Sequence, residues 1–202
     1  MTTARAAECY LMDMIDPALW ASERLRPLKR NEYDRLVELG CFDDEKIELL
    51  NGLLVPVSPQ GPGHAHAVRA LTELFIRGIG DRATVQCGLP LGASDDSEPE
   101  PDIAVIPSQD YSRAHPAQAL LIVEVSNSSL RKDRLLKAGL YARAAVPEYW
   151  IVNLADQVVE IHRMPEGGEY RSVTTRGTDE VIHPEAFADL RVEIAALFPQ
   201  AG

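Results

Sequence analysis

Pro101-Asp102-Ile103-Ala104-Val105-Ile106 and Leu120-Leu121-Ile122-Val123-Glu124-Val125-Ser126 decide how this chain folds. Both runs are short, rich in Ile and Val, and bounded by Pro, Ser or Asn, so each reads as a buried strand. Each also carries a carboxylate that an apolar strand does not ordinarily hold. Asp102 stands at the mouth of the first run and Glu124 near the end of the second. A buried carboxylate costs several kcal/mol unless it is paired, hydrogen-bonded or bound to a cation. Two acids entering one core from different strands therefore suggest a cation, and oxygen ligands suggest a hard one, magnesium or manganese.

The segment after Glu124 extends the pattern. Ser126-Asn127-Ser128-Ser129 offers N-cap candidates for a helix running to about Ala145, and Pro147 stops it. Asp133, Lys137 and Tyr141 fall at i, i+4 and i+8 on one face of that helix. An Asp–Lys pair at this spacing is ordinarily a solvated surface pair worth about 0.3–0.5 kcal/mol. Here the helix begins where the Glu124 strand ends, so its first turns neighbour the carboxylates. A lysine there can position water or stabilise charge that develops on a phosphate.

Working outward, Lys46 to Val57 contains Asn51-Gly52 between apolar runs, a strong hairpin signal because a type I′ turn needs positive φ at both central residues. Glu48 sits on its first strand. Helices are expected over Leu28 to Leu39, with Gly40 as the stop, and over His64 to Ile79, with Val68, Leu71, Leu74, Phe75 and Ile79 on one side. Thr84 to Leu91, Tyr149 to Val152, Val158 to His162 and Tyr170 to Thr175 read as strands. The last two flank a turn at Glu166-Gly167-Gly168. The stretch from Pro184 to Phe198 reads as closing the core with a short helix. The fold class is α/β, a mixed sheet flanked by helices with a β-rich C-terminal part. Residues 1–25 read as an N-terminal extension and 26–202 as a single domain.

The chain has 202 residues, 46% hydrophobic and 25% charged, enough for a proper core. No apolar run approaches the roughly 20 residues that span a bilayer, and residues 1–17 hold no sustained apolar segment of a secretory signal. Cys9, Cys41 and Cys87 are odd in number and far apart, without metal spacing, which fits a reduced, cytoplasmic setting. The formal charge of −11 argues against nucleic-acid binding by the surface as a whole. A local basic groove stays open, since Arg131, Lys132, Arg134, Lys137 and Arg143 lie in one short segment.

Taken together, these residues resemble the Uma2 family of endonucleases, whose fold is that of restriction endonucleases, the PD-(D/E)XK superfamily. The resemblance rests on Pro101-Asp102, Ile122-Val123-Glu124-Val125-Ser126, Asp133 with Lys137, Tyr141-Ala142 and Val146-Pro147-Glu148-Tyr149-Trp150-Ile151-Val152. It extends to Ile47-Glu48-Leu49-Leu50-Asn51-Gly52 and to the Ser58-Pro59 segment with His66, and so spans about Leu28 to Phe198. It implies that Asp102 and Glu124 are the two motif acids and that the Val125 carbonyl offers the metal a third ligand. Ser126 stands where the superfamily motif has lysine, so Lys137 is the implied replacement, and Glu48 the additional acid. The implied activity is Mg²⁺- or Mn²⁺-dependent hydrolysis of DNA phosphodiester bonds by a homodimer. Two alternatives stay open: a non-catalytic nucleic-acid-associated or protein-interaction module that retains the fold, and a metal-dependent hydrolase of small phosphate esters.

Overall fold

A computed structural model of the chain describes residues 26–199. The proposed extension 1–25 lies outside the described residues. A six-stranded sheet forms the frame, in the order β3 (Thr84–Gln86), β4 (Ile103–Ile106), β5 (Leu121–Ser126), β6 (Glu148–Asn153), β7 (Val158–Glu166) and β8 (Glu169–Arg176). Its neighbours are antiparallel except β5 and β6, which run parallel with Glu124 opposite Ile151.

The parallel pair needs a crossover, and a helical run supplies it: α3 (Leu130–Lys132), a π-helical turn (Asp133–Lys137) and α4 (Ala138–Arg143). That run covers one face of the sheet. Helix α2 (Pro62–Ile79) covers the other. With both faces covered, β4, β5 and β6 are buried at every position, which is why they read as unbroken apolar runs rather than alternating ones. The two faces can still be told apart by parity. Ile103, Val105, Val123, Val125, Trp150 and Val152 pack with Ala67, Leu71 and Phe75 of α2. Ala104, Ile106, Ile122, Tyr149 and Ile151 pack with Ala138, Leu140 and Tyr141 of α4. Glu124, two residues from Ile122, therefore faces the crossover helices.

Before the sheet come α1 (Arg30–Glu38) and the hairpin β1 (Ile47–Leu50) with β2 (Leu53–Pro56). The turn is the expected one: Asn51 and Gly52 have φ of 51° and 76°. At Gly52 a side chain would also collide with Pro27, 2.2 Å from an ideal Cβ. The hairpin is tied to the loop before β4 through an antiparallel bridge between Leu49 and Glu98. This docking brings Glu48 to the end of the central strands.

Boundaries differ from the sequence reading in a few places. The strand expected over Thr84 to Leu91 ends at Gln86, because the chain then turns through Gly88 at φ 56°. Strand β7 continues past His162 to Glu166, paired with β8 from Val159 onward except at Met164, whose φ is 60°. The C-terminal segment closes the core with 3₁₀ turns Glu185–Phe187 and Ile194–Leu197 around a small ladder of β9 (Val181–Ile182) and β10 (Val192–Glu193), rather than with a regular helix. Glu148 fastens this segment to the sheet. Fully buried, it accepts from Trp150 Nε1 at 2.9 Å, Arg163 Nε at 2.9 Å and the Glu185 amide at 2.6 Å.

Candidate active site

Three of the four acid and lysine positions named from the sequence arrive from separate strands or strand starts, and the fourth from the crossover. Glu48 comes from β1, Asp102 from the residue before β4, Glu124 from β5 and Lys137 from the π turn. All four line one cavity of about 240 Å³, with Val125 at its wall. It lies at the carboxyl end of β5, beside the crossover, the usual place for ligands in α/β sheets.

Lys137 is the centre of the arrangement. Its Nζ donates to Glu124 Oε1 at 2.8 Å and to Glu48 Oε1 at 2.9 Å, and its side chain is 4% exposed. Asp133 does not pair with it as a surface Asp–Lys couple would. Its Oδ2 instead accepts from Ser126 Oγ at 2.5 Å and Ser129 Oγ at 2.7 Å, and it too is buried. The π turn that begins at Asp133 and ends at Lys137 carries both residues into the core. Such single-turn departures from α geometry recur at functional sites.

Glu124 Oε1 also accepts from Tyr141 Oη at 2.7 Å. Burial pushes the Glu124 carboxyl up to about 8: Lys137 opposes the shift, and Asp102, Asp133 and Glu48 reinforce it. Burial also works against the Lys137 charge, but Glu124 and Glu48 outweigh it and hold the ammonium above its ordinary range. The site thus has more acid than base. Glu48 shows the same excess. Its Oε1 takes the Glu100 amide at 2.9 Å besides Lys137, while buried Oε2 has no hydrogen bond among the described residues, Lys132 Nζ standing 3.7 Å away.

Asp102 is held by three donors. Gln60 Nε2 reaches Oδ1 at 3.1 Å, while the Val125 amide at 2.7 Å and His64 Nε2 at 2.9 Å meet Oδ2. The histidine here is His64, whereas His66 reaches the Ala196 carbonyl at 3.2 Å and takes no part in the cavity. The signal for His64 was present in the sequence: positions 64, 67, 71, 75 and 79 form the buried stripe of α2, and a histidine in that stripe is turned inward. Gln60 carried no signal, because it sits in a loop whose path depends on tertiary packing.

Among the described residues, no three His, Cys, Asp or Glu side chains stand close enough to hold a metal ion, the Lys137 ammonium lying between Glu48 and Glu124 instead. No helix among them is long and apolar enough to cross a membrane.

The sheet and its flanking helices are similar to the crystal structure of a putative nuclease belonging to DUF820 from Anabaena variabilis ATCC 29413, with a TM-score of 0.66 at 18% identity over 85% of this chain and 98% of that one. At this identity the likeness is one of fold. No curated protein matches the chain. A family model described as a putative restriction endonuclease matches residues 30–196, and on that match the chain belongs to the Uma2 family.

Proposed function

We propose that this chain is a divalent-metal-dependent nuclease that hydrolyses DNA phosphodiester bonds, with Asp102, Glu124, Glu48 and Lys137 as its working residues. The observation that carries this reading is the convergence of those four side chains, far apart in sequence, on one polar cavity. The family's description and the fold of its structural neighbour support it.

The donor set fits a hard cation. Asp102, Glu124 and Glu48 all bring carboxylates to the cavity, Val125 lines its wall, and Glu48 Oε2 is a buried oxygen with no hydrogen bond among the described residues. Asp102, Glu124 and the Val125 carbonyl are the proposed ligands, with Glu48 as the additional acid. When bound, Mg²⁺ or Mn²⁺ would stabilise charge on the phosphate and acidify a water molecule. The chain's own residues do the rest. An ammonium has three N–H groups. Glu48 and Glu124 take two of those on Lys137, which leaves one for a water or a phosphate oxygen in the cavity. Tyr141 holds Glu124 Oε1 through its hydroxyl, and the Ser126–Asp133–Ser129 contacts hold the π turn that carries Lys137. Lys46 and Lys132 also line the cavity, where they stand 2.7 Å from Glu100 and 3.7 Å from Glu48, so a phosphate would compete with those carboxylates for them. A homodimer, with one cavity for each strand of a duplex, completes the reading, and light scattering of the purified chain checks it.

The test is incubation of the protein with supercoiled plasmid, a single-stranded oligonucleotide and a small phosphodiester, each with Mg²⁺, Mn²⁺ or EDTA. Metal-dependent cutting of DNA is expected. Turnover of the small ester alone would move the substrate class, and no turnover of any would leave an interaction module with a nuclease fold.

A further inference from the structure

We infer that His64 is a positioning residue that sets the Asp102 carboxylate for cation binding; the inference rests on the reading of Asp102 as a ligand. His64 occupies the first turn of α2, at the head of the stripe Ala67, Leu71, Phe75 and Ile79 that packs into the core. Four of these five positions are apolar, so the imidazole is placed where burial favours a hydrocarbon. It is 9% exposed. Its Nε2 lies 2.9 Å from Asp102 Oδ2, and since a carboxylate oxygen accepts, Nε2 carries the hydrogen of that bond. The other ring nitrogen, Nδ1, is buried with no hydrogen-bond partner among the described residues. A buried polar atom without a partner costs stability. A histidine placed at such a cost, with its other nitrogen on an acid of the cavity, is better explained by what it does for that acid than by packing.

The three contacts on Asp102 divide the work. The Val125 amide and His64 both meet Oδ2, from the sheet and from α2, and so fix the carboxylate plane. Gln60 meets Oδ1 from an exposed loop, where water can replace it. Hydrogen bonds to ligating groups orient them, and their loss typically lowers metal affinity about 10–100-fold. His64, buried and anchored on an 18-residue helix, belongs in that class. Gln60 does not.

Calorimetric titration of Mn²⁺ into the parent and into His64→Leu, His64→Gln and Gln60→Ala tests this, with thermal unfolding of each as a folding control. His64→Gln returns an N–H near the position of Nε2. Expected are a Kd raised about 10–100-fold in His64→Leu, a Kd largely recovered in His64→Gln, and a Kd near the parent's in Gln60→Ala. Parental affinity in a folded His64→Leu overturns the inference while leaving the metal reading intact. Equal weakening in Gln60→Ala, or weakening in His64→Gln as large as in His64→Leu, overturns it too, because then no particular role attaches to the His64 N–H. If the parent itself binds no Mn²⁺, the metal reading fails and the inference with it.

Discussion

Replacing Lys137 with methionine keeps an unbranched stem and removes the charge and both donors at the centre of the cavity. Glu48 and Glu124 would lose hydrogen bonds of 2.9 and 2.8 Å. Removing one partner of a buried ion pair costs about 3–5 kcal/mol when the remaining charge stays buried. Protonation offers an escape, so the penalty depends on pH. In the parent, burial has raised the Glu124 carboxyl from an ordinary 4.5 to about 8. Between those values the folded chain holds a proton that the unfolded chain has released, so this group's stabilisation is complete below 4.5 and is lost as pH rises through about 8. Without Lys137, whose charge opposes the shift, the proton is held still more tightly. The parent's loss then ends near 8, while the variant goes on losing about 1.4 kcal/mol per pH unit for that one proton. At pH 6 the penalty should thus be about 1–3 kcal/mol, the cost of buried groups left without partners, and it should grow to about 3–5 kcal/mol by pH 9. Urea unfolding of both proteins in EDTA at pH 6, 7.5 and 9, analysed with a common m-value, measures it. A penalty below about 1 kcal/mol throughout, or one that is flat with pH, would refute the claim that Lys137 neutralises an acid-rich buried site.

Other consequences can be checked as directly. Because the Glu124 proton leaves only near pH 8, Mn²⁺ binding at pH 7 should release close to one proton; titration in buffers of differing ionisation enthalpy reads this out, and Glu124→Gln should abolish the release. Glu148→Ala strips the acceptor from the buried Trp150 indole N–H and should cost at least about 1–3 kcal/mol in denaturant unfolding. Gly52→Ala places a side chain at φ 76° and 2.2 Å from Pro27; the backbone alone costs about 1–2 kcal/mol, so a thermal midpoint equal to the parent's would contradict the turn as described.

Much of the frame was legible because burial and turn chemistry are local signals. Asn51-Gly52 specified its hairpin through two positive φ angles, and the runs of β4 and β5 announced strands covered on both faces. Asp102 and Glu124 stood out as charges in apolar surroundings, and they do line the same cavity. What escaped depends on tertiary packing or on backbone detail without a residue signature. Nothing in Asp133 to Lys137 distinguishes a π turn from an α turn, yet this turn carries both residues into the core. His64 and His66 are two apart on one helix, so choosing between them required the phase of the buried stripe, and that stripe includes His64. The 3₁₀ turn Glu185–Phe187 starts where Glu148 accepts from the Glu185 amide, a contact across 37 residues.

The most direct test of the central claim is nicking of supercoiled plasmid in Mg²⁺ by the parent beside Asp102→Asn and Glu124→Gln, each shown to be folded. Nicking by the parent that EDTA abolishes, and its loss in both variants, is the expected result. Nicking retained in either folded variant would contradict the assignment of these two acids to the chemistry.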